Sequence, residues 1–182
     1  MGRNVEIKVR VGGESGPDPG ELLARVEALA DDGPHLLRQQ DTFFECARGR
    51  LKLRQLGDGG EAQLIHYQRS DGVEPRESRY VLAPVGDPAS LAAALTGALG
   101  MKGIVRKQRT LYRIGQTRVH FDEVEGLGSY LELEVVLGPE QSQDEGLEIV
   151  RELMRRLGIP RQSLVAEAYV DLLTALREFL AE

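Results

Sequence analysis

Apolar and polar residues alternate with a period of two through much of this chain. Val5-Glu6-Ile7-Lys8-Val9-Arg10-Val11 sets β-branched residues on one face and charges on the other, which predicts a strand. A loop rich in Gly and Pro fills residues 12–20. Residues 21–30 then predict a helix, with Leu22, Leu23, Val26 and Leu29 at helical spacing and Asp31-Asp32-Gly33-Pro34 as its stop. Short strands are predicted at residues 39–47, 50–55, 62–69 and 77–83. Arg48-Gly49, Gly57-Asp58-Gly59-Gly60 and Asp71-Gly72 read as the hairpin turns between them. A helix over residues 88–99 carries Leu91, Ala94, Leu95 and Ala98 on one face and ends at Gly100. Strands at 102–114, 117–124 and 130–137 follow. Two helices, 144–157 and 161–180, are parted by Gly158-Ile159-Pro160. Eight strands, three to four helices and no repeat or linker predict a single α+β domain over residues 1–182. That many consecutive antiparallel strands can close into a barrel, which removes the edges.

The polar faces are unusual in what they carry. Glu6, Lys8 and Arg10 share a face, as do Arg50, Lys52 and Arg54, Lys107 and Arg109, Arg118, His120 and Asp122, and Glu132 and Glu134. On alternation alone, a solvated outer face explains this as simply as a buried one. If helices or loops cover the aliphatic faces, however, the charges point into the barrel, where they must be paired, hydrated or holding a charged ligand. Lys8, Lys52, Arg54, Arg69, Lys107, Arg109 and Arg118 would then gather a multiply charged anion, with Arg supplying forked bonds and Lys a point charge. Glu6, Glu132 and Glu134 would suit a hard cation such as Mg²⁺ or Mn²⁺.

Composition narrows the classes. With 29 acidic against 23 basic residues the formal net charge is −6, which disfavours a general DNA or RNA binder. No apolar run approaches the ~20 residues of a membrane span and no signal-peptide core is present, so a soluble, cytoplasmic protein without a membrane partner is expected. Cys46 is the single cysteine, which excludes an internal disulfide and a multi-cysteine zinc site, and it reads as an apolar filler. Three of the four lysines fall on the charged strand faces.

Six segments, in order, resemble the CYTH domain, also called the triphosphate tunnel metalloenzymes. They are Val5-Glu6-Ile7-Lys8, Asp41-Thr42-Phe43-Phe44, Gly49-Arg50-Leu51-Lys52-Leu53-Arg54, Val105-Arg106-Lys107-Gln108-Arg109, the run from Thr117 through Val124-Glu125-Gly126-Leu127-Gly128, and Tyr130-Leu131-Glu132-Leu133-Glu134. Tyr169-Val170-Asp171-Leu172-Leu173 looks like the closing motif. The resemblance implies a closed eight-stranded antiparallel tunnel, flanked by helices, that binds a triphosphate chain along a basic lining with a divalent metal held by acids. By position, Glu6, Glu132 and Glu134 resemble metal and catalytic residues, and Asp122 a fourth ligand. Lys8, Lys52, Arg54, Arg69, Lys107, Arg109 and Arg118 resemble the phosphate-binding set.

One departure stands out: Asn4 occupies the position of the first Glu in the opening motif, which removes a negative charge from the expected metal site. The expected function is metal-dependent hydrolysis of an inorganic or organic triphosphate such as tripolyphosphate, ATP or thiamine triphosphate. The alternatives are a class IV adenylyl cyclase making cyclic AMP and pyrophosphate, to which the layout comes closest, and a non-catalytic polyphosphate or nucleotide module. His120 reads as a hydrogen-bonding lining residue, Tyr169 as helix packing, and Asp41 as a strand residue outside the site. Arg10 and Arg50 stand second in rank as lining cations. A homodimer would follow if helices left the aliphatic barrel faces uncovered.

Overall fold

A computed structural model describes residues 1–57, 61–70 and 72–181 of the chain. Eight strands close into an antiparallel barrel: β1 (Gly2–Arg10), β2 (Asp32–Phe44), β3 (Arg50–Leu56), β4 (Ala62–Arg69), β5 (Arg76–Val85), β6 (Met101–Ile114), β7 (Thr117–Val124) and β8 (Gly128–Val136). Their order around the barrel is β1-β5-β4-β3-β2-β6-β7-β8, so consecutive strands are mostly neighbours and β1 closes the ring between β5 and β8. Four helices flank it: α1 (Pro19–Leu29), α2 (Pro88–Leu99), α3 (Gln143–Leu157) and α4 (Tyr169–Ala181). The expected α+β barrel is the fold observed. The expected turns at 57–60 and 71–72 fall partly on residues 58–60 and 71, outside the described residues.

Helix starts follow local capping chemistry. Asp18 and Asp87 accept hydrogen bonds from the Glu21 and Ser90 amides, with proline in the first turn of each helix. Ser142 and Glu145 form a reciprocal capping box at α3, whose far end stops at Gly158 in the left-handed conformation.

The aliphatic strand faces turn outward and the helices cover them. Val5, Val9, Val119, Leu131, Leu133 and Val135 pack with Leu22 of α1 and with Val150, Leu153 and Leu157 of α3 as the main core. Under α2, Leu91 and Leu95 meet Phe44 and Leu53. The α4 end packs Val170, Leu172 and Leu173 with Val105, Val124 and Tyr130. With the apolar faces taken, the charged faces point inward. Leu36 and Val81 remain exposed on the outside, at 68% and 46%.

Two elements depart from expectation. β2 begins at Asp32 rather than near residue 39, because its first half pairs with the long β6, His35 opposite Leu111 and Leu37 opposite Arg109. The helix expected over residues 161–180 is interrupted. Arg161–Ser163 forms one 3-10 turn, Leu164 bridges to Val9, the Val165 amide donates to the Lys8 carbonyl at 2.9 Å, and α4 starts only at Tyr169. Strand-like bonds to β1 replace the helical ones there.

Candidate active site

The lumen holds a cavity of about 260 Å³ whose lining includes all seven expected cations, Lys8, Lys52, Arg54, Arg69, Lys107, Arg109 and Arg118, together with Glu6, Glu132 and Glu134. A wider groove of about 860 Å³ adjoins it and shares Gln39 and Lys107 with it. There Arg106 Nε donates to Gln40 Oε1 from an exposed position, whereas the charged groups of the lumen are buried or half-buried, and burial is what gives charge its strength.

Two aspartates organise the cations from neighbouring stretches of wall, β3-β2 and β6-β7, which join where β2 pairs with β6. On one wall, Asp41 of β2 stands opposite Arg54 of β3, and accepts from Arg54 Nε and Nη2 at 2.8 Å and from Lys52 Nζ at 2.8 Å. On the other, Asp122 of β7 stands opposite Arg109 of β6, and accepts from Arg109 Nε and Nη2 at 2.6 Å and Lys107 Nζ at 2.8 Å. Burial opposes ionisation of both acids, but Arg54 and Lys52 in one case, and Arg109 and Lys107 in the other, hold them well below the usual carboxylate range. Burial and the neighbouring Arg54 push the Lys52 ammonium down to about 8 despite Asp41, and burial brings Lys8 to about 8 as well.

This arrangement bears on two readings. Asp41, left outside the site on sequence grounds, is a buried lining residue. Asp122, expected as a metal ligand, is 1% exposed and lies behind the lining. Tyr169 Oη donates to it at 3.1 Å in addition to the three cationic donors, so its oxygens are committed to holding protein groups.

The remaining carboxylates line the third wall. Glu132 accepts from Arg109 Nη2 at 2.6 Å and has Lys8 Nζ at 3.6 Å; Glu134 Oε2 pairs with Arg118 Nη2 at 2.8 Å; Glu6 pairs with Arg69 Nη1 at 2.5 Å. Cross-strand register places them: Glu6 faces Glu134, Lys8 faces Glu132, and His120 faces Glu132 from β7. His120, Glu132 and Glu134 bring one ligand atom each to within 4.8 Å of one another, a group that could hold a metal ion. Glu6 is not part of that group. Burial, reinforced by Glu134 and Glu132, raises its pKa against the pull of Arg69. Burial and Arg109 lower that of His120, so its imidazole is held neutral. Asn4, at the departure from the family pattern, lines the same cavity with a buried Oδ1 that has no hydrogen-bond partner among the described residues.

The segment before α4 is tied to cations of β1, β4 and β5. Lys8 Nζ donates to the Glu167 carbonyl at 2.7 Å, and Arg69 and Arg76 donate to the Ala166 carbonyl at 3.2 and 2.5 Å. Tyr169, read from the sequence as helix packing, does pack against Tyr130, but its ring also faces the cavity, with Lys8 Nζ 4.0 Å from its centroid. Of the second-rank cations, Arg10 is exposed and Arg50 pairs with Asp171 at 3.0 Å.

The CYTH domain family model matches residues 2–169. The adenylate cyclase CyaB of Aeromonas hydrophila is 24% identical over 154 residues, covering 78% of each protein. A Methanocaldococcus jannaschii protein described as a candidate adenylate cyclase is 33% identical over 76 residues, 41% of this chain and 43% of that one, so the match spans under half of that relative. Among solved structures, the PH1012 protein of Pyrococcus horikoshii OT3 matches with a TM-score of 0.81 at 23% identity, over 93% of this chain and 98% of that one, which is a likeness of fold.

Proposed function

The chain belongs to the CYTH domain family, and from that premise we propose that it carries out metal-dependent phosphoryl chemistry on a triphosphate held in its lumen, with hydrolysis as the leading reaction. The observation that carries this reading is the convergence of seven cations and three glutamates on one buried cavity. A triphosphate brings about four negative charges, which the lysines and forked arginines offset while they fix the chain's position. The cavity volume, about 260 Å³, falls below the ~300–1,000 Å³ of pockets that enclose whole drug-sized ligands, which suits a phosphate chain with any organic part left at the mouth.

The residues fit a divalent metal. The glutamate oxygens are the oxygen ligands such an ion takes, and His120 Nδ1 lies among them without a hydrogen-bond partner among the described residues. When bound, the metal supplies charge neutralisation and polarisation of the phosphoryl group. Glu132 and Glu134 would hold it. Lys52, Arg54, Lys107 and Arg109 grip the phosphate oxygens, and Asp41 and Asp122 keep those four side chains aimed. Glu6, the carboxylate whose proton affinity is raised, takes the proton from the attacking water as the terminal phosphoryl group transfers and the diphosphate leaves.

A second reading is cyclisation of ATP, favoured by the names of the two curated relatives. Incubation with Mg²⁺ or Mn²⁺ and tripolyphosphate, ATP or thiamine triphosphate separates the two readings. Phosphate release is expected. Cyclic AMP with pyrophosphate would establish the cyclase instead, and tight binding without turnover under either metal would leave a binding module. Glu132→Gln and Glu134→Gln each should lower metal-dependent turnover by 10²-fold or more; retained activity would remove both residues from the site.

A further inference from the structure

Resting on the reading that this lumen holds a divalent metal, we propose that the metal position is a mixed nitrogen and oxygen site, made by His120 Nδ1 with the carboxylates of Glu132 and Glu134, and that it prefers a first-row transition-metal dication such as Mn²⁺ to Mg²⁺.

Three observations converge on His120. Its side chain is buried, at 4% residue exposure, and Nδ1 has no hydrogen-bond partner among the described residues, a costly condition for a ring nitrogen in a protein interior. Nδ1 stands 3.8 Å from Glu132 Oε2 and 3.7 Å from Glu134 Oε1. Those separations are too long for hydrogen bonds, yet they suit two ligands sharing one ion, each about 2.0–2.2 Å from it. The neighbouring side chains also leave the carboxylates aimed there. Arg118 takes the other oxygen of Glu134, and Arg109 donates to Glu132 Oε2 itself, which still has a lone pair for an ion; both are the kind of outer contact that orients metal ligands. Strand register fixes the set, since His120 and Glu132 are direct cross-strand partners and Glu134 is two residues further along β8.

The donor set decides the metal class. Mg²⁺ favours an all-oxygen octahedron and dehydrates reluctantly, whereas imidazole raises affinity for the later divalent ions of the first row. Two carboxylates and one neutral imidazole match a dication in charge. The neutral Asn4, also on the lumen wall, adds no further negative charge of the kind that would favour a hard ion.

The test uses Mn²⁺ and Mg²⁺ alone with the full chain. Calorimetric titration gives the two affinities, and pulsed electron paramagnetic resonance of bound Mn²⁺ reads coupling to a directly ligated ¹⁴N. The wild type should show ¹⁴N coupling. His120→Gln should lose it while still binding Mn²⁺, and its Mn²⁺ to Mg²⁺ affinity ratio should fall at least tenfold. The chain has three histidines, so a His35→Gln, His66→Gln double variant should keep the coupling; this variant and the wild type decide the question even if His120→Gln does not fold. Bound Mn²⁺ without ¹⁴N coupling, or an unchanged ratio in His120→Gln, would overturn the nitrogen ligand and leave the metal reading standing. Failure of Mn²⁺ and Mg²⁺ alike to bind would overturn both.

Discussion

Lys52 and Arg54 on β3, and Lys107 and Arg109 on β6, repeat one device: a Lys-x-Arg pair whose two heads meet a single aspartate on the neighbouring strand. A fork and a point charge that share one carboxylate are held with less freedom than either alone, and the acid offsets part of their mutual repulsion. Removing the acid exposes what it restrains. Asp122→Asn should cost about 3–5 kcal/mol in denaturant unfolding, because it leaves buried cations short of a counter-charge; a loss under ~1 kcal/mol would show that the cations find other partners. Lys52 gives a pH signature. With its proton affinity brought down to about 8, the ammonium loses its charge as pH rises through that value, and a bound polyanion should pull the affinity back up. Lys8, also brought to about 8, lines the same cavity. Tripolyphosphate affinity should therefore fall at least about tenfold between pH 7 and pH 9, with proton uptake on binding at pH 8.5, and Lys52→Arg should reduce the fall to the part that Lys8 carries. The cations and glutamates of the lumen were legible as residues in phase on strands. Asp41 was not, because its role depends on which strand lies beside β2, and the unpartnered His120 nitrogen was visible only once β7 and β8 were in register.

Elements that answer to local chemistry were read nearly to the residue. α2 is bounded by Asp87 and Gly100, and β7 by turns at residues 115–116 and 125–127, so their limits are written in neighbouring residues. Elements that answer to distant partners were not. The first half of β2 contains His35-Leu36-Leu37-Arg38, which does not alternate, and exists as strand because β6 is there to pair with it. Residues 164–168 give up helix for bonds to β1 and to lumen cations. Helix α3 shows packing overriding propensity within an element. A Cβ on Gly146 would lie 2.7 Å from both Leu137 Cδ2 and Val5 Cγ2, where α3 crosses the main core. Gly146→Ala gains up to ~1 kcal/mol of helix propensity and loses about 1–3 kcal/mol to overpacking, so a net destabilisation is expected in thermal or chemical unfolding. An increase in stability would mean that α3 shifts outward freely.

For the molecule as a whole, the sign of the net charge conceals where the charge lies. Counting Asp41 and Asp122 with the three glutamates, five acids meet seven cations in and just behind the lumen wall, and the remainder of the chain carries the acidic excess. A barrel that gathers cations around a cavity is a fold under internal repulsion, which a bound polyanion relieves. Tripolyphosphate at about 100 times its dissociation constant should stabilise the protein by about 2.7 kcal/mol, a rise of roughly 5–10 °C in Tm. No shift with tripolyphosphate, in the presence or absence of Mn²⁺, would remove the lumen as an anion site. Covering the outer faces is what made the inward orientation of the charges inevitable. The sequence contained both halves of that argument, the aliphatic faces and the amphipathic helices, without showing that they meet.

The carbonyls of Ala166 and Glu167 take hydrogen bonds from Lys8, Arg69 and Arg76, which ties the segment before α4 to cations of β1, β4 and β5. If that segment shuts its end of the lumen, whatever enters must leave by the door it used, and the group that goes in first is the last to come out. A polyphosphate longer than the lumen would then be shortened from its tip, one terminal phosphate at a time, and a time course of chain lengths should show stepwise shortening; cuts along the length of the chain would mean that the lumen is open at both ends.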